Sequence, residues 1–415
     1  MEKATLIGPF KQLITMAGLP IKGALTDSQL QIITNGGIII SGSKITGIGK
    51  FESLKETTEI AETITLKGNH ICLPGFVDAH THICFGGSRA KDYAMRNAGK
   101  TYLEIAHAGG GIWDTVTQTR KSSIEELTKS TIKRANRHLK NGTTTLEVKS
   151  GYGLTVDEEL KMLRAIKEAN KQALPELIST CLAAHMLPKD FKSTEIEYLK
   201  MISKELFPIL KSEKLTNRID AFIEESAFSA KDIKVYFENA QSMNFDITVH
   251  ADQFTPIGSK VAVDNNAISA DHLEASTEKE IALLAKSDTI AVALPGASIG
   301  LGCDFTPARK LLDAGASLAI ASDHNPGSAP MGDLLTQASI LGTFEKLTNA
   351  EVLAGITFRA AAALKLDDRG KLETGLLADL AVFHSDNYQD ILYNQGNLKP
   401  CMIWKSGELV FDKHK

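Results

Sequence analysis

The chain has 415 residues, 43% of them hydrophobic and 23% charged, with a formal net charge of −4. That is ample material for a large globular core, and with no basic block it disfavours nucleic acid or an anionic membrane as partner. No run approaches the apolar length that spans a bilayer, and Met1 to Pro9 lacks a basic region followed by a long apolar core, so a cytoplasmic protein is expected.

Residues 1–66 are broken into short β-like runs at 31–33, 37–40 and 44–49, divided by glycine and serine turns. They predict the N-terminal part of a small β-domain. An apolar strand then ends in His80-Thr81-His82. Side chains two apart in a strand share a face, so both imidazoles can reach one ion. Gly86-Gly87 and Gly109-Gly110-Gly111 mark candidate mobile loops.

From about residue 122 strand-like and amphipathic helical runs alternate. Ser122-x-x-Glu125 reads as a capping box, with Ile124, Leu127, Ile132, Ala135 and Leu139 following at helical spacing, and Thr155-x-x-Glu158 opens another helix. Strands are predicted at 143–148, 178–185, 221–224, 246–250, 267–272, 289–294 and 317–323. With the His80 strand they make eight near-continuous apolar runs, as strands buried on both faces should be. The pattern predicts an α/β fold: a (β/α)8 TIM-like barrel over 67–365, with a doubly wound sheet as the competitor. Beyond 366 short strands return, so one small β-sandwich domain is expected from residues 1–66 and 366–415 together.

Of eleven histidines, His80, His82, His185, His250 and His272 fall at the carboxyl ends of apolar runs, and Asp323 does so on the last. Those ends converge on one mouth of a barrel. His70, His107, His138, His384 and His414 are read as structural. Three imidazoles and a carboxylate suit one divalent ion, Zn²⁺ or Fe²⁺, which brings water to a pKa near about 7. Asp323 can then take the nucleophile's proton and pass it to a leaving nitrogen, and His272 can polarise a substrate carbonyl. Glu147 and Glu224 also lie near strand ends and are expected to partner imidazoles. The five cysteines, an odd number without C-x-x-C spacing, are expected as free thiols in a reducing compartment.

These residues, with the C-terminal run from Gly370 to Leu380, resemble the amidohydrolase superfamily. No lysine sits plainly where a carbamylated bridge between two metals would be expected, although Lys149 is close, so one metal is expected. A narrower resemblance covers nearly the whole chain. His80-Thr81-His82 with Gly86-Gly87-Ser88-Arg89, Thr101 to Ile105, Gly109 to Ile112, Glu147 to Leu154, His250-Ala251-Asp252-Gln253 and Ser322 to Ser328 are similar to the imidazolonepropionase family of histidine degradation.

That resemblance implies hydrolysis of the cyclic amide of 4-imidazolone-5-propanoate to N-formimidoyl-L-glutamate. It implies metal ligation by His80, His82, His250 and Asp323 and substrate or product contacts from Arg89, Tyr152, His185, Gln253, Asn325, Gly327 and Ser328; catalytic work is expected of Asp323, His272 and His185. An arginine fork suits the propanoate carboxylate. Glutamate stands at the position of Gln253 in some members, and glutamine cannot act as a base. The superfamily also suggests a homodimer. A ring deaminase is the neighbouring alternative, and a catalytically inactive scaffold the alternative from another class.

Overall fold

The structure, a computed structural model, describes residues 4–57 and 59–413, so His414 lies outside the described residues. In chain order its strands begin with β1 (Ala4–Ile14), β2 (Ile32–Ser41), β3 (Lys44–Lys50), β4 (Glu62–Thr65) and β5 (His70–Pro74). Then come β6 (Phe76–Asp78), β7 (Thr143–Lys149), β8 (Glu176–Ala184), β9 (Arg218–Ile223), β10 (Asp246–Ala251), β11 (Ser269–His272), β12 (Ile290–Ala293) and β13 (Leu318–Ile320). The last three are β14 (Leu380–His384), β15 (Met402–Lys405) and β16 (Glu408–Asp412).

β6 to β13 are the eight predicted barrel strands, hydrogen-bonded in sequence order and parallel throughout. Nearly every residue in them is buried, because helices cover the outside while side chains fill the inside. β6 is short, and its continuation closes the ring against the continuation of β13: the His82 N–H donates to the His324 carbonyl at 2.9 Å and the Asp323 N–H to the His80 carbonyl at 3.0 Å. Closure is thus made by the very segments that carry three of the predicted ligands.

Connecting helices start where side chains satisfy their free N–H groups. Thr155 caps Val156–Asn170 as expected. The capping box ahead of Ile124–Lys140 falls on Ser123 and Glu126, one residue later than the Ser122–Glu125 reading, because Ser122 instead terminates the preceding helix, Ile112–Lys121. Between β6 and β7 the glycine-punctuated stretch holds three short helices, Ala90–Asn97, Tyr102–His107 and Ile112–Lys121, not open loops.

The termini build a second, mixed sheet in the order β16-β15-β14-β5-β1-β2-β3, with β4 beside β1. It encloses its own core of Ile7, Phe10, Leu13, Ile38, Ile40, Ile45, Leu380, Val382 and Trp404. β5 pairs with β1 and β14, so this sheet takes residues up to Pro74 where the sequence division stopped at 66. No helix among the described residues is long and apolar enough to cross a membrane.

Candidate active site

At the carboxyl end of the barrel His80 Nε2 lies 3.1 Å from His82 Nε2, and His82 Nε2 lies 3.4 Å from His250 Nε2. Asp323 Oδ1 approaches at 3.6 Å from His80 Nε2 and 3.5 Å from His82 Nε2. Four donors bonded at about 2.0–2.2 Å to one ion would be spaced about 3.0–3.6 Å apart; these four separations are of that size, and the nitrogens of His80, His82 and His250 together form a group able to hold a cation. Burial keeps His80 and His82 well below the ordinary imidazole pKa and His250 down to about 3. The rings are therefore neutral, as ligation requires.

The tautomers are set from behind. The His80 Nδ1–H donates to Asp271 Oδ2 at 2.7 Å, and His250 Nδ1 lies 3.0 Å from Asp220 Oδ2, which leaves each Nε2 lone pair for the ion. Lys149 Nζ reaches Glu147 Oε2 and Asp220 Oδ2 at 2.7 Å each and Asp271 Oδ2 at 3.7 Å, all fully buried. Burial opposes the ammonium, but Asp220, Glu147 and Asp271 outweigh it and raise its pKa. Arg218 adds a second cation, its Nε 3.4 Å from Glu147 Oε1. Glu147, Asp220 and Asp271 thus share the fixed cations Lys149 and Arg218, and burial pushes the Asp271 carboxyl up to about 7. The donor set of imidazoles and a carboxylate suits a divalent ion.

Asp323 is buried, its pKa pushed up to about 6. Its Oδ2 accepts from Asn325 Nδ2 at 2.8 Å and Ser328 Oγ at 3.3 Å, which turns Oδ1 toward the imidazoles. Asp323 at φ 49° and His272 at φ 89° both hold backbone conformations uncommon for residues with a Cβ. Burial works against a charged His272 ring, but Glu274, 3.4 Å from Nδ1, together with Asp323 and Asp271, raises its pKa. His185 differs: Nδ1 donates to the Gly151 carbonyl at 2.9 Å and burial lowers its pKa to about 4, so Nε2 is a bare acceptor.

A cavity of about 620 Å³ opens over these groups. Arg89, Tyr152, His185, Gln253, Asn325 and Ser328 line it, as do His272, Asp323 and the unpredicted Arg96 and Lys100. Gly327 does not line it. Its N–H donates to Asn325 Oδ1 at 2.7 Å and its α-carbon packs against Arg89. Arg89 Nε pairs with Asp92 Oδ2 at 2.8 Å, a partner the sequence reading missed.

Two expectations change. Glu147 partners Lys149 and Arg218 and no imidazole. Glu224 accepts from the Phe254 N–H at 2.9 Å and the Thr255 N–H at 3.2 Å, holding the loop behind Gln253. The imidazole partners are Asp220, Asp271 and Glu274. Their signal was available as a carboxylate inside or just beyond an otherwise apolar buried strand. Of the histidines read as structural, His138 is buried and bonds to His324 at 2.8 Å between ring nitrogens.

The amidohydrolase family profile matches residues 71–410. An imidazolonepropionase of Alkaliphilus oremlandii is 36% identical over 408 residues, covering 97% of this chain and 96% of that protein. One from Acinetobacter baumannii is 39% identical over 389 residues, covering 93% and 96%. Among solved structures, a triazine hydrolase variant superposes with a TM-score of 0.75 at 17% identity, covering 100% of this chain and 96% of that one. A zinc-bound adenosine deaminase of Xanthomonas campestris gives 0.72 at 18%, covering 98% and 93%; at these identities the likeness is one of fold. With a family match over most of its length and relatives this similar across nearly all of it, the chain belongs to the amidohydrolase family and, within it, to the imidazolonepropionases.

Proposed function

We propose that this protein opens the lactam of 4-imidazolone-5-propanoate by hydrolysis of its cyclic C–N bond, giving N-formimidoyl-L-glutamate, the third step of histidine degradation. The observation that carries the reading is the convergence of three neutral imidazoles and Asp323 Oδ1 in a cavity that also holds Arg89. A base deaminase has no need of that guanidinium, whereas a substrate ending in a carboxylate does.

His80, His82, His250 and Asp323 would hold the ion, zinc or iron, which when bound makes water acidic enough to serve as nucleophile near neutral pH. Asp323 receives the proton of the attacking water and delivers it to the ring nitrogen that leaves. His272, its pKa raised by Glu274 against the effect of burial and its Nδ1 turned to that carboxylate, donates Nε2–H to the carbonyl oxygen as negative charge develops there. His185 accepts a hydrogen bond from a substrate N–H at its bare Nε2. Arg89, steadied by Asp92, takes the propanoate, and Tyr152, a buried phenol whose pKa is raised by burial, remains a neutral donor beside the ring.

The five cysteines, all unpaired, support a cytoplasmic setting, and a homodimer belongs to the same reading. Incubation with imidazolonepropanoate tests the function: loss of ring absorbance is expected with metal and abolished by chelation. A metal-replete protein that leaves the ring intact refutes it.

A further inference from the structure

We propose that the Lys149 ammonium stands in the place of a second cation, filling a carboxylate cage beside the first site and holding the protein to one divalent ion per chain. The proposal rests on reading the first site as a metal centre. Lys149 Nζ lies 2.7 Å from both Glu147 Oε2 and Asp220 Oδ2 and 3.7 Å from Asp271 Oδ2, and all four side chains are inaccessible to solvent.

One carboxylate oxygen each from Glu147 and Asp271 lies within 4.8 Å of the other, beside His80, whose Nδ1–H is already given to Asp271, so the donors a cation would find in this cage are carboxylates. Asp220 Oδ1 and Asp271 Oδ1 are buried without any hydrogen-bond partner, so two further oxygens stand free to meet a cation. Three carboxylates gathered in a dry interior demand positive charge, and a tethered ammonium supplies it without an ion that can dissociate.

The two carboxylate oxygens that Lys149 gathers from β9 and β11 are also those facing His250 Nδ1 and His80 Nδ1. Lys149 is thus a positioning residue: it touches no substrate, and it fixes the groups that aim two of the ligands. β7, β9 and β11 are alternate strands, which in a barrel contribute side chains to a common interior layer.

The test uses the full-length protein and counts ions. Lys149→Ser vacates the cage. With Mn²⁺ in excess this variant is expected to hold two ions per chain against one in the wild type, to show a spin-coupled Mn²⁺ pair, and to gain thermal stability from the second equivalent. A folded Lys149→Ser with one ion and a melting temperature indifferent to further Mn²⁺ overturns the proposal, as does a wild type with two buried ions.

Should Lys149→Ser fail to fold, stability without metal decides. Lys149→Met is expected to lower the melting temperature by several degrees or to be insoluble, and Lys149→Met with Glu147→Gln, which removes one charge of each sign, to recover part of the loss. No recovery overturns the counter-charge role. A wild type that binds no ion refutes the reading of the first site instead, and the comparison of the two metal-free variants still tests Lys149.

Discussion

Asp323 is asked to do two things with two oxygens, and the structure separates them. Oδ2 is held by Asn325 and Ser328, while Oδ1 faces the imidazoles. Asp323→Asn keeps the shape but removes the acceptor of the water's proton, so kcat is expected to fall by about 10²–10⁴-fold, measured as initial rates on metal-replete protein. A fall of less than tenfold would assign the proton elsewhere. The histidines were legible because each ends an apolar run, where a polar ring is conspicuous. Asp220 and Asp271 were not assigned, because the contacts that give them meaning join different strands, Asp220 to His250 on the neighbouring strand and Asp271 to His80 on one far away in the ring, and linear spacing does not record which side chains meet there.

One connection carries most of the site. After β13 the chain runs Asp323-His324-Asn325-Pro326-Gly327-Ser328, and its hydrogen bonds return on itself through Asn325 to both Gly327 and Ser328. At Gly327 a Cβ would sit 2.2 Å from Arg89 Nη1, too close for the guanidinium to keep its place. Gly327→Ala is therefore expected to act through Arg89: KM should rise roughly tenfold or more, the worth of a charge-assisted hydrogen bond, with kcat little changed. A purely catalytic loss, kcat down and KM constant, would contradict that route. Gly327, which the resemblance implies as a substrate contact, is also the floor on which Arg89 rests. Boundaries were least legible where helices are short. The three short helices that precede Ile124–Lys140 have six to ten residues each, too few turns for a 3.6-residue period to stand out.

Across the whole molecule, the alternation of buried strands and capped helices was enough to foresee the barrel, and the terminal sheet was foreseen from the short β-like runs at both ends, without the long β1, in which Gly8-Pro9 sits at a register shift between β1 and β2. The barrel interior is where charge must close, and that gives the molecule a definite pH behaviour. Its ligand imidazoles are already neutral through the physiological range, since burial holds His250 at about 3 and His80 and His82 well below their ordinary value. Among the four ligands, only Asp323, raised to about 6, still carries a proton that the ion must displace. In the stripped protein this folded pKa lies above the unfolded one, so Asp323 makes the folded state bind more protons, and its contribution to stability declines as pH rises from about 4 to about 6. For metal binding the sign is opposite: affinity should strengthen about tenfold per pH unit below 6 and level off above 7. Chelator competition between pH 5 and 8 measures the slope. An affinity still climbing tenfold from pH 7 to 8 would mean that another buried group loses its proton to the ion there, either Asp271 behind His80, pushed up to about 7, or an imidazole that burial does not hold neutral.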